Sequence, residues 1–303
     1  MKNHNFCILG GDFRQLVLAD LLKKNGHCIT TFGFDRALSN ESKWHLPCNL
    51  MDYSHVITKL SFEESCGEAE YIVLPLPCCV NSDLNMPFSV YTMTFSQLYS
   101  ALKPGQIIIG GIIPADTEPD ENVKIYDYTT RDDFAILNAV PSAEGAIQVA
   151  MENTSSTLHG SNCLILGFGR IGKLIAKFLY SIGSNVTVVA RGKSSSAWIR
   201  NYGYNHEDIS NLANCIKNKD LIFNTIPQKL MNSEVLQEVE PDALIIDLAS
   251  RPGGVDFDAA NALDVHIIHA LGLPGRVAPL TSASIVFETI SNIINENEEV
   301  KKQ

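Results

Sequence analysis

The segment Gly167-Phe168-Gly169-Arg170-Ile171-Gly172 constrains this chain more than any other. It fits Gly-x-Gly-x-x-Gly, follows the apolar run 163–166 and opens an amphipathic stretch over 171–182. Strand, glycine turn and helix in that order are what a dinucleotide-binding βαβ unit requires. Gly167 permits the tight turn, Gly169 lets the backbone approach a pyrophosphate, and Gly172 lets helix and strand pack closely. The helix start offers unpaired N–H groups and a positive dipole end to the phosphates, so Arg170 and Ile171 join the three glycines as candidate cofactor contacts. A purely structural glycine turn is the competing reading.

The tip of the second strand distinguishes one dinucleotide from another. An NAD site places Asp or Glu there, about 20 residues beyond the glycines, to bind the ribose hydroxyls. Here that strand is expected over 186–190, and it ends in Ala190-Arg191-Gly192-Lys193-Ser194 without a carboxylate. Arg191 and Lys193 suit a 2′-phosphate, and Ser194 can donate a hydrogen bond. NADP(H) is therefore expected over NAD(H), with Ala190 at the same contact. A solvated basic turn is the plainer alternative.

Ligands in open α/β sheets sit beyond the carboxyl ends of the strands. Three more strand ends are expected at the same site: Asn224-Thr225-Ile226-Pro227, the stretch 247–254 and the stretch 272–279. Thr225, Ile226, Pro227, Ala249 and Gly272 are candidate cofactor contacts, with the Thr225 hydroxyl reaching the ribose or nicotinamide. Arg251 and Arg276 can each bind a carboxylate bidentately, which suits a dicarboxylic acid. Arg14, past the Gly10-Gly11-Asp12 turn, and Ser142 complete the candidate substrate contacts. Each loop arginine is also open to a surface ion pair. Candidate general bases are Glu144, at the start of a helix, and His269, just before the Gly272 loop. Alternatively, Glu144 complements its helix dipole and His269 packs within a strand.

Short apolar runs alternate with helical patterns throughout. The first half has strands expected at 6–9, 28–32, 71–74 and 106–112, with a helix over 13–25. The polar, turn-rich stretch 79–95 suits a mobile loop. Pro141 disfavours helix at Val140, and Ser142 can cap a connector helix from 143 to about 156. The second half has strands expected at 162–166, 186–190, 220–224, 243–247 and 266–270. A final helix is expected over 281–295, capped by Thr281 or Ser282, with a frayed tail after it. The fold class is α/β: two Rossmann-like domains, parallel sheets flanked by helices, with a cleft between them. Residues 1–138 form an N-terminal substrate or partner domain. Residues 139–303 form the NAD(P)-binding domain, with the connector helix and a returning C-terminal helix.

Composition narrows the partners. The formal net charge is −11, from 34 acidic and 23 basic residues, which repels nucleic-acid backbones and anionic lipid. No nucleic acid or membrane partner is expected, and an anionic ligand needs a local basic pocket. No apolar run approaches the roughly 18 residues that span a bilayer. Eight cysteines are scattered without metal-ligand spacing, so no metal site is expected. Cys78 and Cys79 are adjacent, and ordinary buried thiols are the reading set against a redox pair.

The chain resembles the dipicolinate synthase A-subunit family over nearly its whole length. The resemblance rests on Gly10-Gly11-Asp12-Phe13-Arg14-Gln15, Gly33-Phe34-Asp35, Val140-Pro141-Ser142-Ala143-Glu144-Gly145 and His159-Gly160-Ser161, together with the glycine loop and the strand ends above. It implies oxidation of a dihydrodipicolinate-type precursor to pyridine-2,6-dicarboxylate in the mother-cell cytoplasm of a sporulating bacterium. It also implies a flavoprotein-like partner, the B subunit of the same synthase; a homo-oligomer remains open. Two other readings stand beside it. One is an NADP-dependent dehydrogenase of another small carboxylate or folate-type substrate. The other is a non-catalytic NADP-binding protein that organises its partner.

Overall fold

The computed structural model describes residues 2–37, 53–56, 60–114, 123–250 and 252–300. In chain order the elements are β1 (Asn5–Leu9), α1 (Phe13–Lys24), β2 (Cys28–Phe32), α2 (Phe62–Gly67), β3 (Tyr71–Val73), β4 (Cys79–Val80), β5 (Asp83–Leu84), α3 (Phe95–Ala101), β6 (Ile107–Gly110), β7 (Lys124–Asp127) and α4 (Asp132–Leu137). They continue with α5 (Ala139–Asn153), β8 (Asn162–Leu166), α6 (Arg170–Ile182), β9 (Asn185–Val189), α7 (Lys193–Asn201), β10 (Asn205–Glu207), α8 (Leu212–Cys215), β11 (Leu221–Asn224), α9 (Ser233–Leu236), β12 (Leu244–Asp247), α10 (Phe257–Ala262), β13 (His266–His269), α11 (Leu273–Val277) and α12 (Pro279–Val300). The chain divides into two compact units, Met1–Asn138 with Ala278–Gln303, and Ala139–Val277.

The first unit is a parallel sheet of order β2-β1-β3-β6-β7. Its central strands are apolar on both faces, as a sheet covered by helices on each side requires. Phe6 and Ile8 of β1 face a core shared with Leu16 of α1 and Ile290 of α12. Cys7 and Leu9 face the opposite core, with Phe62, Leu98 and Met86. The stretch expected as a mobile loop is instead a packed β4–β5 hairpin and its continuation, with Leu84, Met86, Phe88 and Met93 buried. Its apolar residues are spaced without a period among polar ones, which hid them from pattern reading.

The second unit has six parallel strands in the order β10-β9-β8-β11-β12-β13. Numbered within the unit this is 3-2-1-4-5-6, the Rossmann order. Cys163 and Ile165 of β8 enter the core that holds α5 and α6, while Leu164 and Leu166 enter the one on the other face. Helix α6 buries Gly172, Ile175, Ala176 and Leu179, a stripe at helical spacing.

Three boundary expectations are corrected. Helix α5 starts at Ala139, so Val140 is helical and Ser142 is a buried interior residue rather than an N-cap. Pro141 lies in the first turn, where its missing N–H has no intrahelical partner to lose. Helix α12 starts at Pro279 and runs to Val300, beyond the expected fraying point. It also packs in the first unit, not in the nucleotide-binding half, because Ala283, Val286, Ile290, Ile293 and Ile294 bury against the α1 side of that sheet. The helical stretch Asp132–Asn153, comprising α4 and α5, is long and apolar enough to cross a membrane by length and composition, and over half of it is buried in the fold.

Candidate active site at the carboxyl ends of the strands

The glycine turn after β8 is built as its sequence dictates. Gly167 has φ +101°, a region open to glycine, and a Cβ there would lie 2.4 Å from Thr225 Oγ1. A Cβ on Gly172 would lie 2.2 Å from the Gly167 carbonyl oxygen, so α6 can approach β8 only without one. Gly169 differs. Its φ is ordinary at −80°, and no atom lies within 4 Å of where its Cβ would be. Nothing inside the protein requires glycine there, whereas a pyrophosphate approaching the backbone does. Gly169 also caps α6 without a side chain, leaving first-turn N–H groups open to an anion. These residues fit a bound dinucleotide.

At the tip of β9, Ala190 is buried, and Arg191, Lys193 and Ser194 are exposed. Neither Arg191 nor Lys193 has an ion pair or hydrogen bond among the described residues. Gly192, at φ +88°, caps α7 without a side chain. The basic tip thus stands at a second open helix N-terminus.

The ends of β11 and β12 are locked together by a buried polar clasp. Asn224 and Asp247 both have 0% exposure. Asn224 Nδ2 donates to Asp247 Oδ1 at 2.8 Å and to the Ile226 carbonyl at 3.1 Å. Asp247 also accepts from the backbone N–H of Ala249 at 3.1 Å and of Gly254 at 3.4 Å. The clasp fixes Ile226 and Ala249, and hence Pro227, beyond the strands. The Thr225 hydroxyl, expected at the ribose, donates instead to the Leu166 carbonyl at 2.8 Å and so braces the glycine turn. Arg251 lies outside the described residues.

Beyond β13, Gly272 has φ +66° and α11 presents Arg276 to solvent, without a partner among the described residues. His269 is exposed on the edge strand, its ring 5.3 Å from Phe257, with no carboxylate bonded to it among the described residues. Glu144 is exposed on α5, and Ser142 is buried.

The first unit repeats the strand–glycine turn–helix plan with a different outcome. Gly10 N–H donates to the Phe32 carbonyl as Gly167 N–H donates to that of Val189, at 2.8 and 2.9 Å. Over this turn, however, lies the chain itself. Gly11 N–H donates to the Asn85 carbonyl, and a Cβ on Gly10 would meet Met86 Cγ at 2.3 Å. Asp12 caps α1 with its own side chain. A pyrophosphate has no room and no free helix end here. Arg14 is buried rather than poised in solvent: its Nε and Nη2 bond Asp12, and Nη2 also donates to the Leu76 carbonyl at 2.6 Å. Burial opposes its charge, and Asp12 more than offsets that. Cys78 is buried, and its thiol donates to the Ile112 carbonyl. Burial pushes that thiol well above its ordinary pKa, and the neighbouring Cys79 adds to the effect. This is the environment of an inert thiol rather than a reactive one.

Known proteins share this arrangement. A family model of the N-terminal domain of the dipicolinate synthase A subunit matches residues 5–129. A model of the D-isomer specific 2-hydroxyacid dehydrogenase NAD binding domain matches residues 138–273. The A subunit of dipicolinate synthase from Bacillus subtilis (strain 168) is 33% identical over 294 residues, covering 95% of each chain. The chain belongs to the dipicolinate synthase A-subunit family. The crystal structure of the A chain of that synthase from Bacillus subtilis superposes with a TM-score of 0.80 at 31% identity, over 99% of this chain and 98% of that one. The A-subunit structure from Bacillus halodurans gives 0.79 at 28% identity, over 96% and 97%. A transhydrogenase from Sinorhizobium meliloti, at 13% identity over 95% and 92%, shares the fold with a TM-score of 0.66.

This member of the dipicolinate synthase A-subunit family is thus an NAD(P)-dependent oxidoreductase with two Rossmann-like units, one holding an open glycine turn and the other a covered one. Sequence reasoning missed the Asn224–Asp247 clasp as a positioning device. Its signal was present: the strands Leu-Ile-Phe-Asn and Leu-Ile-Ile-Asp each end an apolar run on a polar residue.

Proposed function

We propose that this protein catalyses the NADP-dependent oxidation of a dihydrodipicolinate-type precursor to dipicolinate, pyridine-2,6-dicarboxylate, in the cytoplasm of a sporulating cell and together with the synthase's B subunit. The observation that carries the cofactor half of this reading is the uncapped α6 behind Gly169, beside a β9 tip that offers Arg191 and Lys193 where an NAD site has a carboxylate. The substrate half is supported by family membership, since the relatives are named for dipicolinate.

Bound NADP+ would supply the hydride acceptor. The protein's own part is to bind, orient and take a proton. The turn 167–172 and the first turn of α6 receive the pyrophosphate, with Arg170 and Ile171 at its side. Arg191, Lys193 and Ser194, next to Ala190, receive the 2′-phosphate. Ile226, Pro227, Ala249 and Gly272 line the strand ends that the nicotinamide half follows, held there by the clasp and by Thr225. Ser142, Arg251 and Arg276 are the candidate substrate contacts of the nucleotide-binding unit, and Arg14 is a candidate of the first unit taken by itself. Oxidation removes one ring hydrogen as hydride and a second as a proton, which leaves a stable aromatic ring. The barrier is therefore one of positioning plus one proton transfer. Glu144 and His269 are the candidate acceptors of that proton.

The test is turnover. Both purified subunits are incubated with the enzymatically generated dihydro precursor and NADP+, following NADPH absorbance and dipicolinate together. Stoichiometric NADPH and dipicolinate support the reading. Dipicolinate formed without nucleotide reduction, or equally fast in the Arg276→Ala variant, overturns the mechanism or the arginine's role respectively.

A further inference from the structure

In the first unit, Gln15, Arg14 and Tyr128 stand at the carboxyl end of the parallel sheet, and each carries a side-chain donor atom with no hydrogen bond among the described residues. Gln15 has 4% exposure, and its Nε2 is buried with no hydrogen-bond partner. Its side chain folds back over the glycine turn: a Cβ on Gly11 would lie 2.5 Å from Gln15 Cγ and 2.9 Å from Pro75 Cβ. The Gln15 stem thus lies against the loop after β1, at the point the loop after β3 also approaches. In a 2-1-3-4-5 sheet those two loops flank the topological switch point, where ligands bind. A buried amide N–H without an acceptor has given up its bonds to water and gained none in return. Such an atom is expected where a ligand completes the site.

Two further donors stand at the same end of the sheet, near one another around Leu76. Arg14 has a side-chain exposure of 9%, and its Nη1 makes no hydrogen bond among the described residues. Tyr128 is buried, with no hydrogen bond to its hydroxyl among the described residues. A Cβ on Gly111 would meet Leu76 Cδ1 at 2.6 Å and Tyr128 Cζ at 3.0 Å, so the phenol end stands beside the residue whose carbonyl Arg14 grips. Burial pushes that phenol well above its ordinary pKa, which keeps it a donor.

Arg131, a more exposed arginine of the same unit, shows that a guanidinium can donate to two carboxylates at once. Arg131 bonds Asp133 through Nε and Nη2, and bonds Glu296 through Nη1 at 2.8 Å and Nη2 at 2.9 Å. Arg14 holds Asp12 through the same Nε and Nη2, but its Nη2 also donates to the Leu76 carbonyl, which leaves Nη1 alone without a hydrogen bond among the described residues. We propose that a carboxylate of a small-molecule ligand accepts from Nη1 of Arg14, whose Nη2 is already taken by Asp12 and the Leu76 carbonyl, and is completed by Gln15 Nε2 and the Tyr128 hydroxyl. Five hydrogens then face the four lone-pair positions of one carboxylate. This deepens the substrate reading above and relies on it only for which carboxylate binds.

Protein labelled with 15N-glutamine shows the side-chain signals of its seven glutamines, and the Gln15→Leu variant assigns one pair to Gln15. The labelled chain is titrated separately with pyridine-2,6-dicarboxylate, pyridine-2-carboxylate and succinate. The expected result is a saturable shift of the Gln15 amide with pyridine-2,6-dicarboxylate. Gln15→Leu and Tyr128→Phe, which delete donors and keep shape, should then weaken that ligand roughly tenfold or more and leave NADP+ affinity alone. A shift at Gln15 with another carboxylate but not the pyridine dicarboxylate keeps the site and overturns the substrate reading. No shift at Gln15 with any of the three at millimolar concentration overturns the site.

Discussion

Gly169 and Gly172 stand three residues apart, yet a methyl group on each has opposite consequences. Gly169→Ala meets no protein atom, so its melting temperature should match that of the parent. The methyl stands where the pyrophosphate must come, so NADP+ affinity should fall by roughly tenfold or more, as when charge-assisted hydrogen bonds are lost. Gly172→Ala places its Cβ 2.2 Å from a carbonyl oxygen and should lower stability by about 1–3 kcal/mol as an overpacked contact. Calorimetric melting and nucleotide titration of both variants separate the two roles. At the β9 tip, Arg191→Ala should weaken NADP+ selectively over NAD+; equal effects on the two would refute the 2′-phosphate assignment.

At the scale of elements, the clasp between β11 and β12 is the clearest device. Gly254→Ala would drive a Cβ to 1.9 Å from Asn224 Nδ2, and Asn224→Leu would leave Asp247 buried with fewer donors. Each should cost about 1–3 kcal/mol in urea unfolding and loosen the loops that carry Ile226 and Ala249. In the other unit His27, between α1 and β2, accepts the His4 N–H through Nδ1 at 3.3 Å. Burial, then the nearby His4, holds its pKa below 6.5. The folded state therefore binds fewer protons than the unfolded one. His27 supports folding above about pH 6.5, and that support drains as pH falls toward its folded value. His4 itself meets Glu70 and Glu298, so the measurement is a difference: the parent should lose stability relative to His27→Gln as the pH is lowered below about 6.5. Strands such as β8, β11 and β12 were legible because continuous apolar runs ended in turn residues. Strand β7, Lys-Ile-Tyr-Asp, was not, since an edge position leaves it half polar. The burial of Arg14 and the Gln15 amide was equally hidden. It depends on Asp12, Leu76 and Pro75 arriving from elsewhere in the chain.

For the whole molecule, charge is unevenly placed. Residues 153–206 contain Arg170, Lys173, Lys177, Arg191, Lys193 and Arg200 and no Asp or Glu, in a chain of net charge −11. The acid-free stretch carries the glycine turn and the β9 tip; Glu207 stands beside that tip at the end of β10, so the positive charge offered to an anionic nucleotide is that of Arg191 and Lys193 themselves. NADP+ affinity should fall as salt is raised, and more steeply than NAD+ affinity, because the 2′-phosphate adds charge to be screened. With the turn of the first unit covered by Asn85 and Met86, one nucleotide per chain is the expected stoichiometry. Calorimetric titration of the purified protein with NADP+ and with NAD+, each repeated in the presence of dipicolinate, tests this most directly. One NADP+ per chain, bound more tightly than NAD+ and tightened further by dipicolinate, is the expected result. Failure to bind either nucleotide, or a second equivalent bound per chain, would contradict it.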